Sequence, residues 1–267
     1  MATTLDEQRT DVPDLVIHTT EAPGVSEPLL DLLPSPSAFA WVRGDQGMVG
    51  WGEAARFIAN GRERFSRAQR WWSDVVKSAA ITDPVQFPGA GAAAFASFAF
   101  EPGRSLVVVP RVLIGRASGR TWVTTITHAG EHAPSLAEVL TTVREPLTAP
   151  EGLTWGEGTR DTKSWQRAVA EAVERITRGE LDKVVLARDI VATCAKPIDP
   201  RYLMHRLAER YPECWTFLVD GLVGATPELL VRRRGDLVMS RVLAGTIRRG
   251  ASQAHDEDLG LERLGSD

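Results

Sequence analysis

The stretch Lys183-Val184-Val185-Leu186-Ala187-Arg188 places one lysine at the start of a short apolar run. The two β-branched valines in this run predict a strand that is largely buried. Burying an ammonium group is costly unless it is paired, and desolvation lowers the pKa of a lysine toward the range where it can act as a base. Lys183 is therefore either a reagent or an edge lysine whose side chain reaches out to water.

A helix is predicted on each side of this strand. On the N-terminal side, Thr162 or Ser164 caps a helix that Gly179 closes in the left-handed conformation. On the C-terminal side, Asp199-Pro200 provides a cap and a first-turn proline. The apolar residues on one face of the first helix are Trp165, Val169, Val173 and Ile176.

The first half of the chain is predicted to be β-rich with one long helix over residues 61–80. The expected strands there cover residues 38–43, 48–52, 93–100, 106–114 and 121–127. Beyond residue 214 the apolar period drops to two, which predicts an antiparallel meander that ends near residue 243. At 267 residues the chain is long enough for one large α/β domain or two ordinary ones.

The chain is predicted to divide into three parts. Residues 1–28, rich in Thr, Glu, Asp and Pro, are expected to form a mobile N-terminal tail with a short strand at residues 15–18. Residues 29–150 form a β-rich N-terminal subdomain, and residues 151–267 carry the chemistry. The stretch of Pro and Gly over residues 146–158 marks the boundary between them.

Composition excludes several classes of function. The net charge of −4 and the even spread of basic residues argue against a nucleic-acid partner. The sequence has no secretory signal and no apolar run of roughly 20 residues, so we expect a cytoplasmic protein without a membrane partner. We also expect a monomer. Cys194 and Cys214 have no metal-ligand spacing, and the pair His128 and His132 lies in a probable loop, so no metal ligands are assigned.

Glu228 is the second candidate for chemistry, because it follows Thr226-Pro227 at the end of a predicted strand. A carboxylic acid there could protonate a leaving hydroxyl, and an ordinary surface turn is the alternative. In the segment Ala244-Gly245-Thr246 the glycine permits close backbone approach, so its amides could bind a carboxylate. A turn without a ligand is equally consistent with that segment.

Three motifs together resemble the chorismate-utilising enzymes, and most closely their isochorismate synthases. They are Lys183 to Arg188, Gly224-Ala225-Thr226-Pro227-Glu228-Leu229-Leu230 and Leu243-Ala244-Gly245-Thr246. The resemblance implies the chorismate-utilising enzyme fold, an α+β arrangement of antiparallel β-sheets flanked by helices. It also implies that residues 151–267 are the first part of a chorismate-binding catalytic domain. It implies that Lys183 activates water for attack at ring carbon C2, that Glu228 protonates the departing C4 hydroxyl, and that Ala244, Gly245 and Thr246 line the substrate site.

Two positions bear on the subfamily. Lys183 favours water over ammonia as the nucleophile, and Ala244 stands where aminodeoxychorismate synthases carry a nucleophilic lysine. Isochorismate synthase is therefore the predicted function, with a salicylate synthase as the alternative. A non-enzymatic fragment that binds a partner or stays partly folded is the alternative of another class.

The resemblance also implies Mg²⁺ as cofactor. In the family the metal ligands lie beyond the position that corresponds to Asp267, so we expect them in a C-terminal part that these residues do not include. The fold is accordingly expected to be incomplete, and the 267 residues alone are not expected to be active.

Overall fold

A computed structural model describes residues 12–241 of the chain. The described residues form 15 strands and four α-helices, with one short 3-10 helix at Leu29–Leu32. The strands are β1 Leu15–Glu21, β2 Ala38–Arg43, β3 Gln46–Trp51, β4 Ala55–Ala59, β5 Ala80–Thr82, β6 Phe95–Ser97, β7 Ser105–Val109, β8 Val112–Ala117, β9 Arg120–His128, β10 Thr154–Glu157, β11 Ile190–Thr193, β12 Trp215–Val219, β13 Leu222–Thr226, β14 Leu229–Arg234 and β15 Leu237–Arg241. The helices are α1 Arg64–Ser78, α2 Leu136–Leu140, α3 Thr162–Thr177 and α4 Pro200–Arg210.

The largest element is an eight-stranded sheet in the order β13-β12-β2-β3-β8-β9-β1-β5. All of its neighbouring strands run antiparallel except β1 and β5, which are parallel. The sheet joins strands from both predicted halves of the chain, because β12 pairs with β2 through Phe217 opposite Trp41. The predicted boundary over residues 146–158 therefore does not divide this sheet.

A second, three-stranded sheet, β4-β7-β6, packs on the first. Between the two sheets Phe39 and Phe95 stack with ring centroids 5.6 Å apart, and Val108 and Leu113 are fully buried beside them. Helix α1 packs on β4 of the second sheet, where Trp71 stacks on Phe57 at 5.3 Å in a separate apolar cluster. This α+β arrangement of antiparallel sheets and a few helices confirms the predicted fold class.

The opposite side of the large sheet carries another apolar cluster. The 3-10 helix and α4 cover it, with Leu29 and Met204 buried against Ala40 and Leu218. Burial of such side chains stabilises the fold by about 1.5–3 kcal/mol each. The predicted helix that begins at Asp199-Pro200 is confirmed here as α4.

The strand predicted at residues 15–18 is confirmed as part of β1. Residues 15–21 do not belong to a mobile tail, because β1 pairs with β9 and β5 and buries Leu15 and Ile17 completely. Residues 106–114, predicted as one strand, form β7 and β8 in different sheets, because Pro110 cannot donate to a ladder and the chain turns there.

Candidate functional site

Lys183 lies on the connection between α3 and β11, and the structure contradicts the strand predicted around it. Residues 183–188 have no regular secondary structure, and Lys183 is exposed. Within residues 12–241 no strand pairs with this segment, so the apolar run has no sheet to pack against. Val185 is accordingly 90% exposed. The buried setting that was expected to desolvate Lys183 is therefore not provided by the described residues.

Helix α3 delivers the chain to this segment. Its N-cap is Asp161, whose carboxylate accepts from the Ser164 amide at 2.6 Å, rather than the predicted Thr162 or Ser164. Gly179 closes the helix at φ +74°, as predicted, because a residue with a Cβ is strained in that conformation. Glu180 then pairs with Arg175 and Arg178, at 3.2 and 2.9 Å.

Arg188 anchors the other end of the segment. Its Nη2 pairs with the Glu157 carboxylate at the end of β10 and donates to Thr162 Oγ1 at 3.2 Å. Thr162 Oγ1 in turn donates to Glu157 Oε1 at 2.7 Å. The Thr162 hydrogen bond and the Arg188 charge lower the pKa of Glu157, so its carboxylate is ionised near neutral pH.

Asp189 adds a second anchor next to the first. Its carboxylate accepts from the backbone amide and the hydroxyl of Thr159, each at 2.9 Å. The amide hydrogen bond is the main reason why the pKa of Asp189 is lowered. Gly158 makes this contact possible, because a Cβ at that position would lie 2.4 Å from the Asp189 carboxyl carbon.

Glu228 lies in the connection between β13 and β14, as the sequence predicted. Its backbone amide donates to Thr226 Oγ1 at 3.2 Å, and its side chain is exposed. Thr226 is paired with Trp215 of β12, which ties the turn to the edge of the eight-stranded sheet. The exposed carboxylate can reach a ligand, and a poorly hydrated pocket around it is not formed by the described residues.

The structure places the two candidate reagents on separate elements. Lys183 precedes β11, which forms a two-stranded sheet with β10, whereas Glu228 links the eight-stranded sheet to the hairpin of β14 and β15. Among the described strands, no hydrogen-bonded ladder joins these sheets. The segment Ala244-Gly245-Thr246 lies outside the described residues. The pairing of Lys183 with Glu228 therefore stays a prediction.

The anchors at residues 188 and 189 were missed by sequence reasoning. Arg188 was quoted as the end of the predicted strand, but its partners Glu157 and Thr162 lie 31 and 26 residues earlier. No local period connects positions so far apart. The sequence offered one signal for the Arg188 contacts. Arg188 is a charged residue at the end of an apolar run, and a charge that is shielded from solvent needs a partner.

Metal-binding clusters and membrane-spanning helices are both absent from residues 12–241. In residues 12–241 no group of three or more His, Cys, Asp or Glu side chains is arranged to hold a metal ion. The described residues therefore do not fit a Mg²⁺ site by themselves. None of the described helices has the length and apolar character required to cross a membrane.

Similarity to known proteins extends over most of the chain. It is 26% identical over 245 residues to the isochorismate synthase MenF of Bacillus subtilis, a match that covers 81% of this chain and 52% of that protein. It is 27% identical over 250 residues to the salicylate biosynthesis isochorismate synthase of Pseudomonas aeruginosa, covering 85% of this chain and 52% of that protein. The chain thus spans about half the length of these curated relatives.

The fold has a counterpart among solved structures. The menaquinone-specific isochorismate synthase MenF of Escherichia coli superimposes with a TM-score of 0.64 at 23% identity, covering 97% of this chain and 60% of that chain. The family model described as chorismate binding enzyme matches residues 34–267. The chain therefore belongs to the chorismate-binding enzyme family.

Proposed function

We propose that this chain supplies the proton-transfer residues of an isochorismate synthase, which converts chorismate to isochorismate. The observation that carries the proposal is the family match over residues 34–267, together with relatives that are isochorismate synthases and align with more than four fifths of the chain. The expectations of a cytoplasmic monomer without a nucleic-acid partner remain predictions.

In the proposed reaction Lys183 removes a proton from water, whose oxygen bonds to ring carbon C2 of chorismate. The ring double bonds shift, the bond between C4 and its hydroxyl breaks, and Glu228 donates the proton with which that hydroxyl leaves as water. One water enters and one leaves, so the reaction is an isomerisation. General acid and base catalysis of this kind contributes roughly 10²–10⁴ to a rate.

Chorismate binding adds a second requirement, because the substrate carries two carboxylates. Ala244, Gly245 and Thr246 are proposed to contact it, the backbone amides serving as donors to a carboxylate. Mg²⁺ would neutralise substrate charge in such an enzyme. Since the described residues do not fit a metal site, no step of the proposed mechanism is assigned to it.

The test is a kinetic assay in a chimera that spans the length of a curated relative, because the chain matches only 52% of that protein. This chain is joined to the part of the Bacillus subtilis relative that follows the matched region, and chorismate with Mg²⁺ is converted and analysed by chromatography. We expect isochorismate to form, and Lys183→Ala and Glu228→Gln each to lower the turnover number by at least about 100-fold, because each removes one proton-transfer group.

The controls are Lys196→Ala and Glu213→Gln, which remove the same charges from exposed positions elsewhere. Both are expected to retain turnover. Retained turnover in Lys183→Ala would refute its role as the base. Salicylate as the accumulated product would favour the salicylate synthase alternative. A chimera without any turnover of chorismate would favour a non-enzymatic chain.

A further inference from the structure

The segment that carries Lys183 is held at its two ends by one helix. Helix α3 has 16 residues, which corresponds to about 24 Å. The chain leaves its C-terminal end at Arg178 and returns to its N-terminal end at Arg188, which donates to Thr162, the first residue of α3. Ten residues can span at most roughly 33–36 Å. The segment is therefore long enough to return along α3, and Lys183 lies at its midpoint in sequence.

Within residues 12–241 no strand pairs with this segment, and the contacts of Arg188 and Asp189 hold its C-terminal end. The Arg188 guanidinium is mostly shielded, at 24% side-chain exposure, and reaches the Glu157 carboxylate and the Thr162 hydroxyl. Within residues 12–241 its Nε is shielded from solvent and has no hydrogen-bond acceptor. Leaving the Arg188 Nε without an acceptor is destabilising, so the hydrogen bonds of the other guanidinium nitrogens must offset that cost.

The hydrogen bonds that Glu157 and Asp189 accept are charge-assisted, because the acceptors are carboxylates. Asp189 accepts hydrogen bonds from Thr159, and Glu157 accepts one from Thr162 and pairs with Arg188. Charge-assisted hydrogen bonds are about twice as strong as neutral ones. Gly158 allows Asp189 to approach closely enough to use the Thr159 amide. These contacts bring four residues distant in sequence to the end of the Lys183 segment.

We propose that Arg188 is a positioning residue for Lys183, which it holds in place along α3 through Glu157 and Thr162. The inference rests on the proposed function, in which Lys183 is the base. Arg188 itself is not assigned contact with the substrate. Its loss should misplace the lysine without removing any substrate contact, so the chemical step should suffer more than substrate binding.

The first experiment needs no enzymatic activity. Trypsin should cleave the exposed Lys183–Val184 bond faster when the surrounding segment is held less firmly, so the cleavage rate reports on the anchor. In the 267-residue chain we expect Arg188→Met to accelerate this cleavage about 3- to 10-fold and Arg188→Lys to accelerate it less. Arg160→Met, which removes an exposed arginine from the same connection, is the matched control and should leave the rate unchanged.

The second experiment measures the kinetics of the chimera of this chain and the Bacillus subtilis relative. A displacement of about 1 Å can lower a rate by about 100-fold. We therefore expect Arg188→Met to lower the turnover number 10- to 100-fold while KM for chorismate stays within about 3-fold, and Arg188→Lys to recover most of the loss. Arg160→Met should match the unmodified enzyme.

The outcomes separate the inference from the proposed function. An unchanged cleavage rate in Arg188→Met, or a loss of turnover matched by a similar rise in KM, overturns the positioning role. A fall in the midpoint of thermal unfolding large enough to explain the kinetic loss also overturns it. If Lys183→Ala retains turnover, the proposed function fails independently of what Arg188 does to the segment.

Discussion

At the scale of single residues, the best-defined polar interaction is a buried ion pair at the start of α4. Asp199 and Arg201 have side-chain exposures of 6% and 4%, and Arg201 Nη2 lies 2.6 Å from the carboxylate. Arg201 Nη1 donates to the carbonyl oxygens of Leu33 and Glu145, at 3.3 and 3.1 Å. Asp199 also caps α4 through the Arg201 amide at 2.9 Å. The pair thus joins three separate parts of the chain.

Asp199→Ala is expected to be strongly destabilising. It leaves the Arg201 guanidinium buried without its counter-ion and removes a helix cap, so the free energy of unfolding should fall by about 3–5 kcal/mol. Denaturant unfolding followed by circular dichroism measures this change. Arg206→Ala, which breaks an exposed pair with Glu209 on the same helix, should cost less than about 1 kcal/mol. Equal effects of the two variants would contradict the prediction.

Lys183 shows the limit of reasoning from one residue. A lysine within an apolar run suggested a base whose pKa is lowered by burial. In the described part of the chain, however, Lys183 is exposed. Desolvation is a property of the surroundings, and those come from other segments. Its proposed role consequently depends on whether other segments cover residues 183–188 when substrate is bound.

At the scale of elements, α2 shows how local sequence can define a helix end. Ser135 and Glu138 form a reciprocal capping box, in which the Glu138 carboxylate accepts from the Ser135 amide at 2.8 Å and from its hydroxyl at 2.7 Å. These hydrogen bonds, led by that of the Ser135 hydroxyl, lower the pKa of Glu138 to about 2. The pattern of Ser followed three residues later by Glu is readable from sequence.

The capping box predicts a pH dependence of α2. Because the pKa of Glu138 is lower in the folded state, the ionised carboxylate stabilises α2 above its ordinary pKa of 4.5, and this contribution is lost as the pH falls toward 2. Nuclear magnetic resonance titration of the Glu138 carboxyl carbon measures the shift. Ser135→Ala should return the pKa toward its ordinary value.

Thr142→Ala serves as the matched control for this titration. The Thr142 hydroxyl donates to the Glu138 carbonyl oxygen at 3.1 Å, at the other end of α2, so its loss leaves the box intact. The Glu138 pKa should stay low in that variant. The same titration midpoint in Ser135→Ala as in the unmodified chain would show that the box does not control Glu138.

At the scale of the whole molecule, burial is unevenly distributed. Helix α1 has 15 residues and buries Ala68, Trp71 and Val75 between itself and the sheets. Helix α3 has 16 residues and, in the described structure, buries none of them. Its apolar stripe is present as predicted, but Val173 is 57% exposed. An amphipathic pattern therefore specifies a helix here without specifying what covers it.

This difference predicts unequal stability within the molecule. Burial of three apolar side chains corresponds to several kcal/mol, so α3 amides should exchange with solvent on the order of 100-fold or more faster than α1 amides. Hydrogen exchange followed by mass spectrometry compares the two helices in one sample, with α1 as the internal control. Equal protection of α1 and α3 would contradict the uneven burial.

The sequence alone determined most helices and the hairpins of the meander, because caps, turn residues and apolar periods are local signals, while the fold class followed from the resemblance to a known family. Asp199-Pro200 before α4, Gly179 after α3 and the Asp220-Gly221 turn between β12 and β13 are examples. The resemblance of three motifs to the chorismate-utilising enzymes, now confirmed at the level of family, also required only sequence.

Only the tertiary structure decided which segments pair and which residues are anchored. It placed β1 inside the large sheet, joined β12 to β2, and brought Arg188 to Glu157 and Thr162. Each of these contacts links residues far apart in the chain, and its stability comes from burial and electrostatics that no local pattern contains. The Lys183 run is predicted as a buried strand by its own residues, but only a neighbouring strand could make it one.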